Sequence, residues 1–340
     1  MKPFLIRNVL RASLFCLVFM GIGSAGKASA VDAFAQNKLL GRGMNVLGYD
    51  PIWDSFSSAR FKPDYFKTIH EGGFQSLRVN LQPFRHMGPA PEYLLPKAWW
   101  GTADWIVTNA TAAGLAVILD CHEYETTASN EAAHRAKFIE FWRQLAAHYQ
   151  KAPATVFFEI LNEPNGEVTP AVWNQYIREV LPIIRESNPG RTVVIGPPFW
   201  NSIGHLTDLE LPKDKNIIVT VHYYDPMKFT HQGAPWAGLK GKTGVKWEGT
   251  PQERARIALD FQYAQDWAKK NKRPVFLGEF GAYDDGDMES RARYTAAVAR
   301  TAEKFGWSWA YWQFDSNFLA YDVQKNQWIG PIHNALVPPK

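Results

Sequence analysis

The stretch TVFFEILNEPNG, residues 155–166, decides how this chain folds. A run of buried-strand character ends abruptly in Asn162, Glu163 and Pro164. The run is apolar and β-branched enough for a strand covered on both faces. Pro164 has no amide hydrogen to offer a neighbour, so the paired ladder cannot continue through it. A carboxylate is therefore held at a strand tip, a placement that suits chemistry better than packing. The stretch PVFLGEFG, residues 274–281, repeats the design with Glu279 between two glycines. Two glutamates at two strand tips point to a paired-carboxylate hydrolase.

Working outward from these two strands, six more apolar runs lie at residues 41–48, 76–81, 115–120, 192–196, 216–221 and 308–314. Helical stretches are predicted between them, over residues 63–71, 102–113, 131–149, 169–187, 250–271 and 287–305. That at 131–149 carries Phe138, Phe141, Trp142 and Leu145 at helical spacing. Thr169 before Pro170 reads as an N-cap with proline in the first turn, and Thr250-Pro-Gln-Glu253 as a capping box. The fifth crossover, residues 201–209, has the weakest pattern. Eight strands alternating with helical segments predict a parallel sheet closed into a (β/α)8 TIM barrel, one catalytic domain over residues 31–340. A doubly wound open sheet is the alternative, but no GxGxxG follows the first strand.

Residues 1–30 carry Lys2, Arg7 and Arg11, an apolar segment and the small residues Ala28, Ser29 and Ala30, the pattern of a secretory signal peptide cleaved near Ala30. Its apolar core falls short of the roughly 20 residues that span a bilayer. The expected address is secreted or periplasmic, with no membrane span. Four of the 37 basic residues, Lys2, Arg7, Arg11 and Lys27, and none of the 33 acidic ones lie in this leader, so the remainder is balanced in charge. Nothing then favours a nucleic-acid partner, which clustered Lys and Arg would serve. Cys16 falls in the leader and Cys121 is the other cysteine, so no intramolecular disulfide is expected in the mature chain. Stability has to come from a large core, and the chain is expected to act as a monomer.

In a barrel, the C-terminal strand ends converge on one face. There the pattern places Arg78, His122, Asn162, Glu163, His222, Tyr224, Glu279 and Trp312. One such residue could be a salt-bridge partner or core; eight polar or aromatic residues at six of eight tips are hard to explain as packing. Glycoside cleavage needs one carboxylic acid to protonate the leaving oxygen and a second carboxylate to attack or to activate water. Strands four and seven lie across the barrel mouth, so Glu163 and Glu279 can face one another over a sugar. Environment would set their roles: a carboxylate beside Arg78 stays ionised, and one in a drier setting keeps its proton. The sequence leaves open which is which. Residues 120–125, DCHEYE, could also suggest a metal site, but adjacent strand residues point to opposite faces and no HExxH helix or cysteine set accompanies them. No metal and no cofactor are expected, and Glu123 and Glu125 read as loop carboxylates at the edge of a subsite.

On these motifs the chain resembles glycoside hydrolase family 5, the cellulase family, among the (β/α)8 retaining β-glycosidases. The resemblance runs over nearly the whole mature chain. The family's NEP at strand four matches Asn162, Glu163 and Pro164, which implies Glu163 as acid/base and Asn162 as donor to the sugar 2-hydroxyl. Its strand-seven glutamate matches Glu279, implying the nucleophile. Arg78, His122, His222 and Tyr224 match its supporting residues, and Trp312 its strand-eight tryptophan under the cleaved sugar. Relatives often have proline where Arg78 is followed by Val79 and Asn80, so the loop after strand two is expected to run differently.

Trp53, Trp99, Trp100, Trp200, Trp236 and Trp247 fall in or near loops that follow strands. Aromatic faces suit sugar rings, and Trp53, Trp200 and Trp236 join Trp312 as candidate substrate platforms, about half of the loop tryptophans being expected only to pack. The reaction expected is retaining endo-hydrolysis of a β-1,4-glucan polysaccharide or oligosaccharide, the carboxyl groups lying roughly 5 to 5.5 Å apart. A β-glycanase acting on mannan, xyloglucan or β-1,3-glucan is the alternative within the family, and a carbohydrate-binding barrel without turnover the alternative outside it.

Overall fold

The computed structural model describes Met1 and residues 32–339. The leader and its Cys16 thus lie outside the described residues. Eight parallel strands close in sequence order: β1 Arg42–Val46, β2 Ser76–Leu81, β3 Ala116–Cys121, β4 Val156–Glu159, β5 Val193–Ile195, β6 Ile217–Tyr223, β7 Val275–Phe280 and β8 Ser308–Tyr311. β1 pairs with β8 through Gly43 opposite Ala310, which shuts the barrel. The expected (β/α)8 fold is what forms.

Side chains on a strand alternate between faces, and that alternation splits the core in two. Leu77, Val79, Val117, Leu119, Val156 and Phe158 belong to the outer cluster under the helices. Ile118, Phe157, Val194, Ile218, Phe276 and Ala310 form a second cluster inside the barrel. Leu40 joins it from helix Ala33–Leu40, which plugs the bottom. The plug is tied to strand starts by Ser76 Oγ donating to Leu40 O (2.7 Å), Asn37 Nδ2 to Val275 O (3.0 Å) and Ser308 Oγ to Asn37 Oδ1 (2.7 Å).

The predicted helices form at Asp64–Glu71, Lys97–Ala112, Glu131–His148, Pro170–Ser187, Pro251–Asn271 and Met288–Lys304. The Thr250–Glu253 capping box is present, and Thr169 accepts from Val172 N at 3.4 Å. The structure adds to or departs from the sequence reading in several places. The third helix starts at Lys97, so Trp99 and Trp100 are helical rather than loop residues, Trp99 being buried. The β4 ladder stops at Glu159, and Glu163 sits four residues beyond on a left-handed backbone (φ 44°), although Ile160 N and Asn162 N still bond to Val194 O and Cys121 O. The fifth crossover holds only a turn at Pro198–Asn201 and one 3-10 segment, Ile203–Asp208, in keeping with its weak pattern. Beyond β8 come a short hairpin, Tyr321–Asp322 with Gln327–Trp328, and helix Gly330–Leu336, which had no forecast. No helix among the described residues is long and apolar enough to cross a membrane.

Candidate active site

The inward column of each strand changes character as it rises. On β3 it runs Ala116, Ile118, Asp120; on β4, Phe157, Glu159; on β2, Ser76, Arg78, Asn80. The fully buried Arg78 stands at the centre. Its guanidinium makes a fork to Glu159 (Nε–Oε2 and Nη2–Oε1, both 2.8 Å), and Nη1 donates to Glu279 Oε1 (2.7 Å) and Asn45 Oδ1 (2.9 Å). Nη2 also donates to Asn162 Oδ1 (2.8 Å) and lies 3.1 Å from Asp120 Oδ2. A planar fork of five N–H donors can satisfy this many acceptors at once; a lysine could not. Burial alone would lower the guanidinium's pKa, and Asp120, Glu159 and Glu279 more than reverse it.

Arg78 thus reaches both halves of the carboxylate pair, directly at Glu279 and through Asn162 beside Glu163. Tyr224 OH donates to the second oxygen of Glu279 at 3.0 Å. Glu163 meets a different setting: its side chain is 15% exposed, and Oε1 lies within hydrogen-bond distance of His222 Nδ1, at 2.7 Å. Burial pushes the Glu163 carboxyl up to about 7, against the opposing pull of His122 and Arg78. Burial likewise drives His222 down to about 3, so its ring is neutral at ordinary pH. For His122, burial would lower the pKa, but its 2.7 Å bond to Asp120 and the charge of Glu279 raise it. The ring of Trp312 lies nearly parallel to that of His122, centroids 5.4 Å apart at 9°.

Glu163, His222 and Glu279 offer ligand atoms within 4.8 Å of one another, a spacing a metal ion could use. His222 Nδ1 and Glu163 Oε1 already bond to each other, and both oxygens of Glu279 accept from Arg78 or Tyr224. A set already satisfied by hydrogen bonds, with a guanidinium beside it, suits two carboxyl groups acting from two sides of a bound molecule better than it suits a cation.

All of Arg78, His122, Asn162, Glu163, His222, Tyr224, Glu279 and Trp312 come together. The tryptophans divide. Trp53 is 6% exposed, stacks on Trp99 (5.5 Å, 28°) and donates to Leu47 O at 2.9 Å, so it packs the loop after β1 instead of facing a sugar. Trp247 is buried as well. Trp200 and Trp236 are 54% and 59% exposed. Trp200 N donates to Pro164 O (3.3 Å), which sets it beside Glu163, while Trp236 packs edge-on to Tyr283, itself against Phe318 and then Tyr224. A cleft of about 370 Å³ lined by Tyr49, Gln82, Phe84, Tyr124 and Glu125 opens beside His122. Glu123 instead braces its loop, accepting from Phe84 N at 2.6 Å and Thr126 Oγ1 at 3.0 Å. Asn80, at the departure from the usual proline, joins the network through Asp120 (3.2 Å).

Sequence reasoning missed Glu159, Asp120 and Asn45 as members of the site. A signal was there for Glu159: a charge inside a fully apolar run must have a buried counter-ion, and Arg78 was the inward cation at hand.

The model of the family described as Cellulase (glycosyl hydrolase family 5) matches residues 38–318. Among relatives, Endoglucanase H of Acetivibrio thermocellus is 27% identical over 91% of this chain and 34% of its own length. Endoglucanase 3 of Fibrobacter succinogenes is 25% identical over 85% and 51%. The chain thus spans about a third of the first of these relatives and about half of the second. Among solved structures, a hyperthermophilic endo-β-1,4-glucanase in complex with substrate is 39% identical, with a TM-score of 0.86 over 91% of this chain and 100% of that one. Cel5A of Thermotoga maritima in complex with mannotriose is 38% identical, with a TM-score of 0.86 over 90% and 100%.

Proposed function

The chain belongs to glycosyl hydrolase family 5, the cellulase family, and on that premise we propose that it is an endo-acting β-1,4-glucanase that cleaves with retention, exported by its N-terminal leader to the periplasm or beyond and active as a monomer. The observation that carries the mechanism is the different company kept by two facing carboxyl groups. One oxygen of Glu163 and one of Glu279 lie within 4.8 Å of each other, a spacing in keeping with the roughly 5 to 5.5 Å between the carboxyl groups of retaining enzymes.

Glu279, aimed by Arg78 and Tyr224, attacks the anomeric carbon. The C–O bond to the leaving sugar breaks, its electron pair stays on the leaving oxygen, and Glu163 supplies the proton there. A carboxyl raised to about 7 still carries its proton in about half of the molecules at neutral pH, where an ordinary glutamate is almost wholly ionised. In the second step Glu163, now ionised, takes a proton from water as the water displaces Glu279. Asn162, held by Arg78, is placed to donate from Nδ2 to the sugar 2-hydroxyl, and Trp312 offers its ring beneath the same sugar. Trp200, beside Pro164, provides an aromatic platform next to the acid, where the leaving chain would lie.

A 2-fluoro-cellobioside with an activated leaving group should label Glu279 and be found on its peptide by mass spectrometry; a label on another residue overturns the assignment. Product analysis on cellulose, barley glucan and mannan in parallel should give internal cuts of β-1,4-glucan first, and a clear preference for mannan would replace the substrate.

A further inference from the structure

Residues 199–201 are three consecutive non-glycine residues on a left-handed backbone, with φ of 56°, 59° and 53°. Such residues cost about 1–3 kcal/mol each and persist where surrounding structure holds them for a purpose. The turn delivers the side chain of Asn201, fully buried, to the Nε2 edge of the His222 ring, with Asn201 Nδ2 3.2 Å from His222 Nε2. The fit is tight. Ser202 bridges to His222 on β6, and a Cβ at Gly196 would lie 2.1 Å from Asn201 Oδ1, so only glycine at the end of β5 admits the amide.

An amide nitrogen can only donate, so the ring nitrogen facing it must be the acceptor. A neutral imidazole carries one proton, and with Nε2 accepting, that proton sits on Nδ1. Nδ1 in turn faces Glu163 Oε1 at 2.7 Å. We propose that Asn201 is a positioning residue: by donating to His222 Nε2 it fixes the Nδ1–H tautomer, which occupies Glu163 Oε1 and leaves the acid's transferable proton on Oε2. His222 transfers no proton in this arrangement; it directs which oxygen of its neighbour holds one. With the opposite tautomer, Nδ1 would accept, and the proton of Glu163 would be drawn to Oε1 and away from the glycosidic oxygen. The other charged or titratable groups facing this pair are Glu279 on β7 (3.6 Å from Nδ1), Arg78 on β2, Asp120 and His122 at the end of β3, and Tyr224 after β6. None of them is hydrogen-bonded to Nε2, where Asn201 is the partner, and the Glu279 carboxylate 3.6 Å from Nδ1 favours the same tautomer from the other side of the ring.

The inference rests on Glu163 as the general acid, and the test separates the two. Asn201→Gly removes the amide while tolerating the left-handed backbone, and Asn201→Asp keeps the shape but replaces the donor with an acceptor. Both are compared with the parent and with Glu163→Ala on cellotetraose, whose leaving group needs protonation, and on dinitrophenyl cellobioside, whose leaving group does not. Because a general acid contributes roughly 10²–10⁴-fold, misplacing its proton should lower kcat/KM of both Asn201 variants on cellotetraose about tenfold or more and leave the activated substrate within about threefold. Equal losses on both substrates, or no loss on either, overturn the inference. If Glu163→Ala shows the leaving-group dependence and the Asn201 variants do not, only the tautomer proposal falls; if Glu163→Ala lacks it, the acid assignment falls too. Nitrogen-15 NMR of the parent gives a readout that needs no variant to stay folded, assigned by the loss of signal in His222→Gln. His222 should show a protonated Nδ1 and an unprotonated Nε2, and the reverse pattern refutes the proposal.

Discussion

The two ends of the barrel interior are built on the same eight strands and held together by opposite means. At the bottom, Ile118, Phe157, Val194, Ile218 and Phe276 pack against one another and against Leu40 of the plug helix. One layer higher on the same strands stand Asp120, Glu159 and, on β2, Arg78, a buried cation ringed by carboxylates. The lower layer is stabilised by non-directional burial and tolerates exchange of one apolar side chain for another of similar volume. The upper layer is a network in which each member satisfies several others, so removing one leaves uncompensated charge. The barrel concentrates its replaceable packing at one end and its irreplaceable geometry at the other, which is where chemistry needs rigid side chains.

The strongest challenge to this contrast is Arg78→Met, which would fill the space without the charge. Three buried carboxylates would lose their counter-ion, with a loss of about 3–5 kcal/mol in stability and, because Glu279 and Asn162 lose their common anchor, a fall in kcat on the order of a thousandfold. Urea unfolding and single-turnover kinetics measure the two losses, and a variant that kept near-parental activity would break the comparison. Phe157→Ala, one layer down, should cost a similar 3–5 kcal/mol as a cavity but leave kcat per folded molecule within a factor of about two. A large kcat effect there would mean that the two layers are mechanically one. The smallest effect is set by pH. The Glu163 carboxyl, raised from its ordinary 4.5 to about 7, favours the fold when protonated. That contribution is fully present below pH 4.5 and is lost as pH rises to about 7, up to roughly 3 kcal/mol. Glu163→Gln, which never ionises, should therefore match the parent near pH 4 and exceed it in melting temperature at pH 8. A gap of equal size at both pH values would show that burial does not hold the carboxyl up.

Much of the site could be read from strand tips. Glu163, Glu279, His122, His222 and Tyr224 are polar or aromatic residues at or just past the ends of apolar runs, and the runs are local in sequence. Glu159 escaped because its partner Arg78 is 81 residues away, and nothing near it in the chain accounts for its charge. Trp53 was misplaced for a related reason: its exposure depends on Trp99, which a helix beginning five residues earlier than forecast brings against it. Asn201 lies in the crossover with the weakest pattern, where a left-handed turn, not periodicity, sets the side chain.

The sequence by itself determined the barrel and its strand order and pointed to the two carboxylates, because continuous apolar runs, helical periodicity and polar residues at the ends of the runs are properties of neighbouring residues. Only the tertiary structure decided that one arginine serves Glu159, Glu279 and Asn162 together, that Glu163 sits dry enough to keep a proton near neutral pH, and that an asparagine on the β5 turn faces the histidine beside it. Those outcomes depend on distances across the barrel and on exclusion of water, which closure of the eight strands creates and no local stretch contains.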